Sequence, residues 1–158
     1  MVKRSHADRY TARHTGSPKR TLGAAFAVML VIAALILTNF RLFVTSGPSM
    51  EPTYTPGQWV IAVRRSAPPE KGELVFLRYN GNYCLKRIAY CAGEDVTVFG
   101  IVPYWGSNTV PEGYVFVMGD NREDSLDSRD PRFGLVAIQD IWGMPLFPKN
   151  SLNKTNNT

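Results

Sequence analysis

The longest apolar run in the chain covers residues 21–40, TLGAAFAVMLVIAALILTNF, and contains no charged side chain. A helix of this length spans roughly 30 Å, the thickness of the hydrocarbon core of a bilayer. A buried helix of a soluble protein normally carries a polar stripe, which this run lacks. A cleaved secretory signal normally has a shorter apolar core that ends in a small-x-small site. The pattern therefore predicts a retained transmembrane anchor over residues 21–43.

Beyond residue 44 the pattern changes to short apolar runs separated by turn residues. The runs cover residues 59–63, 74–79, 83–89, 96–102 and 114–118, with a weaker run at 136–142. Many short strands at this spacing are typical of an all-β sandwich or barrel-like sheet. The predicted fold class is mainly β: a compact all-β domain of short antiparallel strands at residues 44–148, preceded by one N-terminal transmembrane helix.

One hairpin is predicted in detail. The Asn-Gly pair at 80–81, between two apolar runs, is the strongest short-range hairpin signal. A two-residue turn there gives the cross-strand pairs Tyr79–Asn82, Leu77–Cys84 and Val75–Lys86. Side-chain alternation then makes Lys86 the only charge on an otherwise apolar face and puts Arg87 on the other face.

A lysine on an apolar face has two interpretations. Burial without a carboxylate partner lowers the pKa of an amine, and a neutral amine is a general base. Alternatively, the stem of Lys86 packs while its ammonium group reaches water. The position of Lys86 leaves both interpretations open.

A nucleophile for such a base is suggested by the stretch GPSMEPTY at residues 47–54, in which Ser49 lies between a proline and a methionine. The two histidines of the chain, His6 and His14, both precede the predicted anchor. A Ser-His-Asp triad within the domain that follows the anchor is therefore excluded in a single chain. Serine and lysine remain as the candidate pair.

The charge distribution bears on topology and on partners. The formal net charge is +5, but residues 1–20 contain six basic side chains and one acidic side chain, whereas the rest of the chain has twelve of each. The balanced remainder argues against a nucleic-acid partner. The basic N-terminal side predicts a cytoplasmic tail at residues 1–20 and an extracytoplasmic domain after the anchor. Residues 149–158 are predicted to be a polar C-terminal tail.

No metal site is predicted. The stretch MGDNREDSLDSRDPRFG, residues 118–134, is rich in oxygen ligands, but its order does not fit a twelve-residue calcium loop. Residues of these types also favour a solvated turn. The spacing of Cys84 and Cys91 gives no metal site, and two free thiols are expected.

Four segments together carry a resemblance to a known family. GPSMEPTY, KGELVFLRY, KRIAYCAGED and GDNREDSLDSRDPRFG follow a single anchor in this order. The chain from Gly47 to Gly134, with its anchor, resembles the type I signal peptidases, which are membrane-bound serine proteases with a Ser/Lys dyad. The SMxPT motif alone is weak evidence for this family, but the four segments in this order are specific to it.

The resemblance implies roles residue by residue. It implies Ser49 as the nucleophile and Lys86 as the general base. Supporting roles in the catalytic loop are implied for Ser125, Asp127, Arg129, Gly119, Asp120 and Asn121. Gly47, Met50, Tyr54 and Leu85 are expected to bind the substrate. Since Gly47 has no side chain, an oxyanion donor that some relatives have at this position is missing. No cofactor is implied.

The implied function is the removal of N-terminal signal peptides from exported preproteins at a cell membrane, with preproteins and the lipid bilayer as partners. Only 33 residues separate Lys86 from Asp120, which leaves no room for the large second domain of some relatives. Compact relatives include pilin-maturation peptidases or cyclases of conjugation systems, and this alternative stays open. A catalytically silent membrane scaffold is disfavoured because Ser49, Lys86 and Ser125 are all present.

Overall fold

The computed structural model describes residues 18–97 and 104–148. The chain divides into two units, residues 1–37 and 38–158. The first unit contains most of helix α1, Pro18–Asn39. Within the described residues, Leu22–Asn39 is the one helical stretch long and apolar enough to cross a membrane. The predicted apolar helix is therefore confirmed.

The second unit is built on one antiparallel sheet, so the mainly-β prediction is confirmed. Among the described residues its strands are β1 Phe40–Val44, β2 Trp59–Arg64, β3 Leu74–Tyr79, β4 Asn82–Tyr90, β5 Tyr114–Met118, β6 Val136–Ala137 and β7 Ile141–Pro145. Their order across the sheet is β1-β2-β7-β3-β4-β5-β6. All neighbouring strands pair antiparallel.

The β3–β4 hairpin has the predicted register. Tyr79 pairs with Asn82, Leu77 with Cys84 and Val75 with Lys86. Asn80 and Gly81 both have positive φ, at 47° and 81°, as a two-residue turn that matches the strand twist requires. The predicted strand pairing of Lys86 is thus confirmed.

Strand β1 was not predicted. Residues 40–43 were expected as the end of the anchor, but α1 ends at Asn39 and β1 follows directly. Two contacts explain why the chain leaves the helix here. The ring of Phe43 stacks on Phe76 with centroids 4.3 Å apart. The guanidinium group of Arg41 donates to the Tyr83 hydroxyl at 2.8 Å.

Two other predicted runs differ from the structure. The run at 136–142 is interrupted by a short 3-10 turn, Ile138–Asp140, which separates β6 from β7. In the run at 96–102, Val96 is buried but lies outside the named strands. Residues 98–102 of that run and the predicted tails, apart from residues 18–20, lie outside the described residues.

Three groups of buried side chains hold the unit together, and the two faces of β3 contribute to different groups. Phe76 packs in a cluster with Met50 and Leu85. Leu77 faces the other way and packs in a cluster with Ile88. A third cluster surrounds Phe116. Because burial of apolar area is the main favourable term in folding, these clusters fix β4 and hence Lys86.

Candidate active site

Ser49 lies in a tightly folded turn between β1 and β2. Gly47, two residues earlier, has φ +73°, a conformation that glycine adopts at little cost. Met50 is 3% exposed and belongs to the core, and its carbonyl accepts the Tyr54 N–H at 2.9 Å. The Glu51–Pro52 peptide bond is cis. Core packing and local hydrogen bonds therefore hold the Ser49 backbone in place.

Lys86 is buried on β4 and is only 4% exposed. Its Nζ donates to the Ser125 hydroxyl at 2.9 Å. Among the described residues, no carboxylate forms an ion pair with it. Burial lowers the pKa of Lys86; Cys84 and Asp127 oppose this lowering. A buried amine without an ion pair favours its neutral form, the form a general base needs.

Gly119 shows how closely the parts of the site approach one another. A Cβ atom at Gly119 would lie 2.4 Å from the Ser49 carbonyl oxygen and 2.3 Å from the Ser125 Oγ. These distances leave no room for a side chain. The Asn121 N–H also donates to the Ser49 carbonyl at 3.0 Å. Ser49, Ser125 and Lys86 are therefore brought into one site around Gly119.

Asp127 holds the loop that carries Ser125. The Asp127 carboxylate is fully buried and accepts the Gly119 N–H at 2.9 Å and the Arg129 Nε at 2.8 Å. Burial raises the pKa of Asp127, but hydrogen bonds from Arg129, Gly119 and Ser125 outweigh this and hold the pKa below its usual value. Asp127 forms an ion pair with Arg129, and this pair braces the loop beside Lys86.

A second ion pair, on the other face of β4, joins three segments. Arg87 donates from Nε and Nη2 to the two oxygens of Asp120, at 2.7 and 2.6 Å. The Thr53 hydroxyl donates to the same carboxylate at 2.6 Å. Sequence reasoning gave Asp120 a role but missed Thr53, although Thr53 is the threonine of the SMxPT motif. The network ties the turn of Ser49 to the strand of Lys86.

A small pocket of about 50 Å³ opens beside Ser49. Three of the four predicted substrate-binding positions line it: Gly47, Met50 and Leu85. The fourth, Tyr54, does not line it; its ring is buried and its hydroxyl donates to the Phe147 carbonyl at 3.3 Å.

Sequence reasoning missed the other residues of the pocket lining, which are Phe43, Val44, Thr45, Ser46, Phe76, Tyr83 and Cys84. Cys84 and Cys91 are both free thiols. Burial raises the pKa of Cys84 to about 11, with Lys86 opposing the shift. Since the thiolate is the nucleophilic form of cysteine, Cys84 stays an unreactive thiol near neutral pH.

The edge of β4 beside this pocket is open. On one side β4 pairs with β3 along Asn82–Arg87. On the other side its pairing with β5 begins only at Arg87. Among the described strands, none pairs with that side of residues 83–86. An extended peptide can add to such an edge through main-chain hydrogen bonds.

Comparison with known proteins identifies the family of this chain. A family model described as "Signal peptidase, peptidase S26" matches residues 19–100 and 97–148. The chain belongs to this family. Within the described residues of this S26 family member, no group of three or more His, Cys, Asp or Glu side chains is arranged to hold a metal ion.

Curated relatives match most of the chain of this S26 peptidase. Signal peptidase I of Bacillus amyloliquefaciens is 26% identical, covering 81% of this chain and 88% of its own. Signal peptidase I S of Bacillus subtilis is 29% identical, covering 82% and 90%. A mitochondrial ATP-independent inner membrane protease subunit 1b of Arabidopsis thaliana is 30% identical, covering 82% and 85%.

Proposed function

We propose that the protein is a membrane-anchored serine endopeptidase that removes signal peptides from exported preproteins, with Ser49 as the nucleophile and Lys86 as the general base. The observation that carries this proposal is the environment of Lys86. Its amine is buried, forms no ion pair among the described residues and donates to Ser125. Ser125 and the Ser49 backbone both contact the same glycine, Gly119.

In the proposed mechanism, neutral Lys86 takes the proton of the Ser49 hydroxyl while Oγ attacks the scissile carbonyl carbon. The C–N bond then breaks, and the leaving amine takes the proton from Lys86, which leaves an ester on Ser49. Lys86 next deprotonates a water molecule that attacks this ester, and Ser49 leaves with the proton. The Ser49 N–H is proposed as one donor to the oxyanion. Gly47 offers no side chain as a second donor.

The small pocket supports substrates with short side chains at the cleavage site. Its volume of about 50 Å³ suits an alanine-sized group rather than an aromatic ring. The open edge of β4 supports binding of the substrate as an extended strand. A preprotein segment that leaves a membrane without folding provides such a strand.

The proposed location is a cell membrane, with residues before the helix in the cytoplasm and the sheet outside. The apolar stretch Leu22–Asn39 supports a single membrane crossing, and the basic residues before it support this orientation. Proteolysis of intact cells from which any outer barrier has been removed tests it. The protease should digest residues beyond 44, and residues before 18 should be protected.

The central experiment is cleavage of a preprotein by the full chain reconstituted in vesicles. We expect Ser49→Ala and Lys86→Ala each to lower the cleavage rate roughly a thousand-fold or more. The matched control is Lys71→Ala, because Lys71 is an exposed lysine paired with Glu94. Thermal melts should show that all three variants stay folded. Undiminished cleavage by the Lys86→Ala variant would reject the proposed base.

A further inference from the structure

A group of arginines lies on one face of the sheet, next to the pocket of Ser49. Arg41 is two residues from Phe43, and Arg78 is two residues from Phe76. Because Phe43 stacks on Phe76 and strand side chains alternate, Arg41 and Arg78 point to this same face. Arg64 belongs to it too, two residues from buried Ala62. The three arginines come from three different strands.

Two of these arginines, Arg64 and Arg78, have no side-chain partner in the part of the chain that the structure describes. Among the described residues, neither Arg64 nor Arg78 forms an ion pair or a side-chain hydrogen bond, and both are exposed. Together they line a polar pocket of about 270 Å³ with Trp142 and Asp140. Arg65 also lines the pocket, but its charge is paired with Glu73. Two unpaired guanidinium groups against one carboxylate leave the pocket positively charged.

The third arginine, Arg41, contacts two residues of the pocket lining and follows helix α1 closely in sequence. The Arg41 Cζ lies 4.8 Å from the ring centre of Trp142, and its Nη1 donates to the hydroxyl of Tyr83, which also lines the pocket. Arg41 follows Asn39 by two residues, so their Cα atoms are at most about 7 Å apart. Asn39 is the last residue of the apolar stretch Leu22–Asn39. The headgroup layer on each side of a bilayer is roughly 5–8 Å thick.

The strand pair that carries two of the arginines also has an exposed apolar face. Leu42 pairs with Ile61, and Val44 pairs with Trp59. All four side chains are exposed, with Trp59 at 66%. Because strand side chains alternate, this apolar face is opposite the arginine face of the same two strands. A strand pair that carries exposed apolar side chains with a tryptophan on one face and arginines on the other is typical of a segment at the level of lipid headgroups.

We propose that Arg64 and Arg78 form a binding site for the phosphate group of an anionic phospholipid. The planar guanidinium group matches phosphate oxygens with two parallel N–H donors. Trp142 lines the site, and Arg41 lies against Trp142 from outside the lining. A phospholipid bound at this site would hold the sheet at the level of the lipid headgroups. The open edge of β4, which we propose to bind the substrate, lies beside it.

The test measures lipid contact at Trp142 in the full chain. Trp59→Phe and Trp105→Phe leave Trp142 as the reporter, and Ser49→Ala keeps the readout independent of peptidase activity. The protein is reconstituted in phosphatidylcholine with either nitroxide-labelled phosphatidylglycerol or equally labelled phosphatidylcholine. We expect the phosphatidylglycerol to quench Trp142 more strongly. Arg64→Gln and Arg78→Gln should reduce this preference roughly five-fold for each arginine removed.

Two further variants control for charge and folding. Lys71→Gln with Arg132→Gln removes two positive charges from exposed residues elsewhere and should keep the preference. The double variant Arg64→Lys, Arg78→Lys keeps both positive charges but loses the planar guanidinium groups. It should therefore keep part of the preference for phosphatidylglycerol. Equal quenching by the two lipids, or a preference that survives both glutamine substitutions, would overturn the proposal.

The same experiment distinguishes two other possible ligands of the pocket, a soluble phosphate ion and an acidic side chain of the substrate. Inorganic phosphate at millimolar concentration, added to the detergent-solubilised protein, should leave Trp142 emission unchanged; an arginine-dependent change would assign the pocket to a soluble anion. In phosphatidylcholine vesicles, the chain with Ser49 intact should cleave equally well two substrates that differ only in Glu or Gln several residues before the cleavage site, away from the side chain that enters the small pocket. An arginine-dependent preference for Glu, without any lipid preference, would assign the pocket to the substrate and overturn the proposal.

Discussion

Lys86 is held by a hydroxyl rather than by a carboxylate. A carboxylate beside the amine would favour the ammonium form and raise its pKa. The Ser125 hydroxyl orients the amine without adding a charge, and the nearby carboxylate of Asp127 is itself paired with Arg129. Asp127 is therefore close enough to brace the loop but forms no ion pair with Lys86.

The lowered pKa of Lys86 predicts an effect of pH on stability. Between this lowered pKa and the ordinary value of about 10.4, the unfolded chain binds more protons than the folded one. The free energy of unfolding of the wild type therefore rises with pH in this window. We expect Lys86→Met to be more stable than the wild type below the window, with a difference that shrinks as pH rises. Thermal melts in detergent across this pH range measure it.

Lys71 provides a control of opposite sign. Its hydrogen bond to Glu94 raises the pKa of Lys71, so its stabilising contribution is present below the unfolded pKa and is lost as pH rises through the folded value. Lys71→Met should therefore lose stability at lower pH and approach the wild type at higher pH. The same slope for both variants would contradict the assigned environment of Lys86.

Gly119 gives a second prediction at the residue scale. A methyl group there would meet the Ser49 carbonyl oxygen and the Ser125 hydroxyl at distances that real Cβ atoms do not show. We expect Gly119→Ala to cost about 1–3 kcal/mol of stability and to lower kcat strongly, because both neighbours belong to the site. Gly57→Ala is a comparison, since Gly57 has φ +80° and open space around it. That variant should lose stability but keep its kcat.

Sequence motifs identified individual residues better than the contacts between them. Ser49, Lys86 and Asp127 lie in recognisable stretches. The hydrogen bond of Thr53 to Asp120 joins residues 67 positions apart. A contact of this kind depends on how the strands are arranged, so local sequence pattern alone does not predict it.

At the scale of elements, the β3–β4 hairpin was predictable because its turn and its register are local. Asn80 and Gly81 fix the turn, and alternation then fixes the faces of both strands. Strand β1 was not predictable in the same way. Its residues continue an apolar run, and only long-range contacts, such as Phe43 with Phe76, define them as a strand.

The Arg87–Asp120 pair predicts how strongly β4 is tied to the catalytic loop. Both side chains are mostly buried, at 14% and 5% exposure, and removing one partner leaves the other charge buried and unpaired. We expect Asp120→Asn to cost about 3 kcal/mol of stability and to lower cleavage. Denaturant melts and kinetics on the same preparation measure both effects.

The control for this pair is Asp130→Asn. Asp130 pairs with Arg132, whose side chain is 81% exposed, and exposed pairs contribute little. Stability should hardly change. If Asp120→Asn behaves like Asp130→Asn, the Arg87–Asp120 network does not hold the loop.

At the scale of the whole molecule, the anchor predicts a dependence on where the substrate is. With enzyme and preprotein in one bilayer, their encounter is confined to a surface, which raises the effective concentration. We expect a preprotein in the same vesicle to be cleaved roughly 10²–10⁴ times more efficiently than a soluble peptide with the same cleavage sequence. Preprotein in a separate vesicle population should be cleaved poorly. Equal rates in all three formats would contradict the proposed role of the anchor.

Backbone hydrogen bonds join the two ends of the loop between β4 and β5. The Gly93 N–H donates to the Val110 carbonyl at 2.8 Å, and the Val110 N–H donates to the Glu94 carbonyl at 3.1 Å. Asp95 and Thr109 form an antiparallel bridge just beyond. Doubling the length of a flexible loop costs only about 0.6 kcal/mol of free energy. Extra sequence inserted between Asp95 and Thr109 would therefore leave Lys86 and Gly119 where they are. The fold therefore offers a position at which an additional domain can be inserted without changing the geometry of the site.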